Sequence, residues 1–145
     1  MKHKPVLVNV AIYRLHVVVY IAASIDEIME DAKKAKINPD QFTADWKDCV
    51  SGAMKTAEGL CIHFGNGNAD ILIWLREIPT TASTYGPLWH ELSHAVDKIA
   101  KHADPNSYFY DDRMMSEPRA FLFEYLACEI TKDLWNRSPV SRKKN

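Results

Sequence analysis

Cysteine is scarce in this chain of 145 residues, and what there is carries no pattern. Cys49, Cys61 and Cys128 show neither CxxC nor zinc-knuckle spacing, which argues against a thiolate-built zinc module. An odd count without a pairing pattern points to reduced thiols and a cytoplasmic setting. An excess of charge is missing too. Eighteen Lys and Arg stand against 19 Asp and Glu, for a net charge of −1, whereas a general nucleic-acid binder carries a basic surplus. Long apolar runs are also absent. The richest stretch, Pro5 to Ser24, is broken by Asn9, Arg14 and His16. Its Val, Ile and Tyr content favours strands, so neither a membrane span nor a signal peptide is expected. No repeat, low-complexity tract or interdomain linker is visible, and the length suits one domain with a proper core. That domain is expected over residues 1–138. The basic stretch Arg142-Lys143-Lys144, beyond Pro139, makes 139–145 a solvated tail.

What the chain does contain is His90-Glu91-Leu92-Ser93-His94, an HExxH pentad. It lies in a segment, Tyr85 to Lys101, whose only Gly and Pro are Gly86 and Pro87 near its start. Helical spacing gathers Leu88, Leu92, Ala95, Val96 and Ile99 into one apolar stripe. His90, His94, Asp97 and Lys101 fall on the opposite side. Two histidines four apart on a helix project from one face and can share one Zn²⁺. The Glu between them is placed to take a proton from a metal-bound water.

Two histidines leave a catalytic zinc one protein ligand short. Six positions after His94 stands Ala100, so the third histidine of the metzincin pattern is missing. Asp97 shares the histidine face, but ligands at 90, 94 and 97 would be strung along about 10 Å of helix axis. It reads better as an acceptor behind the ligands or as a surface charge. The next helix, expected from Ser116 to about Trp135, carries Glu117 and Glu124 on its face away from the stripe of Leu122, Phe123, Leu126, Ile130 and Leu134. Either Glu is a candidate. Glu117 is preferred, because its 23 residues beyond His94 let one helix finish, a loop turn and a second helix return. Tyr108, Tyr110, His102 and Arg119 are candidate donors to a developing oxyanion.

HELSH followed by Glu117-Pro118-Arg119-Ala120 resembles the gluzincin pattern, in which HExxH is followed by a helix bearing ExxA. The chain also resembles minimal gluzincin domains and the small metallopeptidase-like proteins of bacteriophage genomes, on "HELSHAVD" and "AFLFEYL". The resemblance covers about residues 59–135. It implies a zincin-like α+β domain, zinc held by His90, His94 and Glu117, and Glu91 as general base. It also implies a peptide or protein substrate and, for a phage protein, the host cytoplasm. Phe121 stands four after Glu117, where the thermolysin group places Asn or Asp. A zinc-binding regulatory or interaction module without proteolysis is the alternative.

The remaining elements are expected in this order. Val6–Tyr13 and Leu15–Ala22 form two strands joined near Arg14, or one bent strand. Ser24-Ile25-Asp26-Glu27 caps a helix that runs to about Lys36, and Thr43 to Ala57 forms another. Gly59–Phe64 and Ala69–Arg76 form a hairpin around Gly65-Asn66-Gly67-Asn68, and Pro79 to Thr84 is a connector. A largely antiparallel sheet packed on the HExxH helix and a second glutamate-bearing helix is therefore expected. In zincins the edge of such a sheet aligns an extended peptide. Either strand of the hairpin fits that role.

Overall fold

The computed structural model describes residues 4–34, 44–63, 71–103 and 116–137, with main chain only at 44, 45, 63, 103, 116 and 117. β1 (Val6–Val10) and β2 (Leu15–Ile21) are joined by one 3-10 turn, Ala11–Tyr13. Arg14 closes that turn at φ 52°, in the left-handed region, so the two strands are separate rather than one bent strand. α1 (Ile25–Lys34) and α2 (Ala44–Thr56) follow, then β3 (Gly59–His63), β4 (Ile71–Leu75), α3 (Ala82–Ala103) and α4 (Ser116–Arg137).

The four strands form one sheet in the order β1-β2-β4-β3. The outer pairs are antiparallel, but β2 and β4 run parallel, with Val19 opposite Ile73. The sheet is therefore mixed, not largely antiparallel. The two hairpins pair locally, whereas the central pairing joins segments separated by α1, α2 and β3. Only the packing of both hairpins on common helices sets its direction. All five residues of β4 are buried, as expected of an inner strand covered on both faces.

One face of the sheet packs on α3 and α4. Val6, Val8, Val10, Leu15, Val17, Val19, Ile71 and Ile73 meet Leu88, Leu92, Ile99, Leu126 and Ile130 there. The other face carries Tyr20, Leu72 and Trp74, which pack with Ile28 of α1 and with Trp46 and Met54 of α2. Alternation along the strands divides the two cores, because successive side chains leave opposite faces. The apolar stripe read for α3 is buried at every position, and His90, His94, Asp97 and Lys101 are exposed.

Local signals place the helix starts. Ser24 N–H donates to Glu27 Oε2 at 2.9 Å, and Glu27 N–H donates back to Ser24 Oγ at 3.3 Å, a reciprocal capping box. Thr84 Oγ1 accepts from the backbone N–H groups of Thr80 and Thr81, each at 2.9 Å. This starts α3 at Ala82, within the stretch expected to be a connector. Arg76 lies just past β4 and donates to the carbonyls of Met54, Lys55 and Ala57, so it satisfies the C-terminal end of α2. Among the described residues no helix is long and apolar enough to cross a membrane. The expected tail, 139–145, and the loop residues Tyr108 and Tyr110 lie outside the described residues.

Candidate metal centre

The two histidines of the pentad converge. His90 Nε2 and His94 Nε2 lie 3.2 Å apart, with ring centroids at 4.7 Å and planes nearly perpendicular at 89°. Two imidazole nitrogens, each about 2.05 Å from a tetrahedral zinc, would be about 3.3 Å apart. The pair thus has the spacing of two corners of such a site. Both residues are exposed on α3, and the Ser93 hydroxyl donates to the His90 carbonyl at 2.6 Å on the same helix face.

Glu91 behaves differently from its neighbours. It is 7% exposed and is the buried charged residue among those described. β3 lies across it. A Cβ placed on Gly59 would fall 2.8 Å from Glu91 Cγ and 3.3 Å from Oε1, so the glycine forms a notch that the glutamate fills. The Cys61 backbone N–H faces the Glu91 carboxylate and favours its charged form. Burial pushes the Glu91 carboxyl above the usual carboxylate range. The nearby His90 and His94 and the Cys61 N–H oppose that shift without cancelling it.

The position of β3 explains why Cys61 N–H is available. β3 is an edge of the sheet. Arg76 N–H donates to the Glu58 carbonyl at 3.0 Å, and hydrogen-bonded pairs alternate along an antiparallel ladder. Leu60 and Ile62 therefore turn their main-chain groups toward β4, while Gly59 and Cys61 turn theirs to the free edge. The other edge, β1, is clamped by α4. The Tyr125 hydroxyl donates to the Asn9 carbonyl at 3.0 Å, and Arg137 donates to the carbonyls of Lys4 and Pro5. Of the two strands of that hairpin, β3 is the edge strand of the sheet among the described residues.

The remaining candidates separate. Glu117 lies in the first turn of α4, and its side chain is outside the described residues. Glu124 is exposed on α4. Among the described residues no third His, Cys, Asp or Glu gathers with the two histidines. Asp97 meets Arg119 at 3.5 Å, which ties α3 to α4. That pairing fits Asp97 as a surface charge. Arg119 Nε is buried without an acceptor among the described residues. His102 is exposed near the end of α3. The Cys61 thiol is pushed up to about 12, chiefly by burial. Tyr85 stacks on Trp89 at 5.3 Å, and Trp89 meets Phe123 at 6.3 Å, which joins the first half of α3 to α4.

Gly59 and the Cys61 main chain were not singled out from sequence. The hairpin that carries them was legible. Which of its strands crosses the HExxH helix, and at what register, was not.

No family model matches the chain, and neither the curated proteins nor the solved structures contain a significant match.

Proposed function

We propose that this protein is a zinc-dependent peptidase of zincin-like architecture, with His90, His94 and Glu117 as ligands and Glu91 as general base. The carrying observation is the 3.2 Å approach of the two Nε2 atoms, with Glu91 between them in sequence and held under an edge strand. An antiparallel edge strand lying over the HExxH helix supports the zincin-like reading. Zinc bound there supplies a Lewis acid that brings a water's pKa toward neutrality. Glu91 accepts the proton of the attacking water and delivers it to the leaving amine. Its burial suits that task, because a carboxylate with raised proton affinity is a stronger base near neutral pH. The free main-chain groups of β3 pair with an extended peptide and align it along α3.

One observation favours the second reading, a zinc-binding module that cleaves nothing. The Cys61 N–H faces the carboxylate that catalysis needs and favours its charged form without any metal. Elemental analysis and a peptide-library screen decide between the readings. The expected result is one zinc per chain in the wild type and in Glu91→Gln, with cleavage by the wild type alone. Lack of stoichiometric zinc overturns both readings. Unchanged cleavage by Glu91→Gln overturns Glu91 as base. Zinc without cleavage by the wild type leaves the binding module.

A further inference from the structure

Glu91 is the polar residue of the pentad that is buried, while His90, Ser93 and His94 are exposed, and its environment comes from a different element. The side chain leaves α3 beneath β3 and stops against the main chain of Gly59. Its carboxylate faces the outward N–H of Cys61, two residues further along the same strand. Gly59 contributes nothing that a side chain would: its part is the absence of one. β3 is also the strand whose free groups a peptide would pair with.

We infer that Gly59 is a positioning residue for Glu91, and that the notch at Gly59 together with the outward Cys61 N–H forms a seat that holds the base at the rim of the peptide edge. The inference rests on the reading of Glu91 as general base. A Cβ at position 59 would lie 2.8 Å from Glu91 Cγ, against the 3.4 Å at which ordinary contact begins. Cγ is the middle of the side chain, not its flexible end, so the whole carboxylate must swing away. A displacement near 1 Å in a catalytic constellation costs up to about 100-fold in rate. The Gly59 main chain stays free to pair with a peptide, so substrate binding is retained.

The test uses Gly59→Ala, with Glu91→Ala as reference and Gly52→Ala as control. Gly52 is on α2 and a Cβ there meets nothing within 4 Å. Amide proton shifts are read on the full chain, alongside zinc content, kcat and KM. Glu91→Ala is expected to move the Cys61 amide upfield by removing the carboxylate it faces, and Gly59→Ala to move it the same way. Zinc content stays at the wild-type value in Gly59→Ala. Its kcat falls about tenfold or more while KM holds within about twofold. Gly52→Ala leaves every readout unchanged. The inference is overturned if Glu91→Ala leaves the Cys61 amide in place, a result that does not require Gly59→Ala to fold. It is equally overturned if Gly59→Ala shifts neither that amide nor kcat. If the wild type cleaves nothing, the peptidase reading fails by itself, and the amide shifts alone decide whether the seat exists.

Discussion

Replacing Glu91 with Gln is expected to stabilise the metal-free protein while abolishing cleavage by the zinc-loaded one. Glu91 is 7% exposed and its carboxyl is raised above the usual range, mainly by burial. The folded state therefore binds a proton at this site more readily than the unfolded chain, whose Glu titrates near about 4.3. Below that value both states are protonated and the site costs nothing. As pH rises from there through the higher folded value, the native state loses stability relative to the unfolded one. Above the folded value the full cost stands. Gln keeps the shape and an acceptor for the Cys61 N–H but carries no charge at any pH. Burying a polar group with incomplete compensation costs about 1–3 kcal/mol on protein mutational scales. The Cys61 N–H and the neighbouring histidines offset part of this, which leaves a gain on the order of 1 kcal/mol for Glu91→Gln at pH 7. For a chain of this size that raises Tm by about 2–4 °C. Thermal unfolding in the presence of a chelator at pH 7 and at pH 4 checks it. A Tm below that of the wild type at pH 7, or a gain that is undiminished at pH 4, refutes the burial argument.

Two further perturbations probe the metal and the frame. Zinc at about 100-fold its Kd stabilises the protein by about 2.7 kcal/mol, a Tm rise of about 5–11 °C; His94→Ala removes the response, and a rise that survives His94→Ala refutes the assignment. Arg76→Ala strips the hydrogen bonds that close the end of α2 and is expected to cost about 1–2 kcal/mol. Hydrogen exchange locates that loss at Met54 to Ala57, and equal loosening throughout the chain contradicts it.

Local periodicity made much of this molecule legible from its residues. Leu88, Leu92, Ala95, Val96 and Ile99 recur at helical spacing and are all buried, because a helix can hide only one stripe against a sheet. The same spacing turned His90 and His94 outward together. Ser24 and Glu27 announced their capping box three residues apart. These signals are short in range, so the chain need not be folded for them to be read.

The direction of the central strand pair was not legible. β2 and β4 are each apolar enough for an inner position, and neither encodes which way its neighbour runs. The burial of Glu91 was not legible for a related reason. On the helix it lies between the buried stripe and the exposed face, where either fate is open, and only β3 crossing above it closes that space. Gly59 carries no side chain to reveal its role, which exists only relative to a residue 32 positions away.

The sequence by itself therefore determined the helix, the paired histidines and the glutamate between them, because i and i+4 positions meet within a single turn. Only the tertiary structure decided that Glu91 is buried, that β3 is the edge strand beside it and that Gly59 makes room beneath it. Those facts depend on the distance between elements far apart in the chain, and packing alone sets that distance.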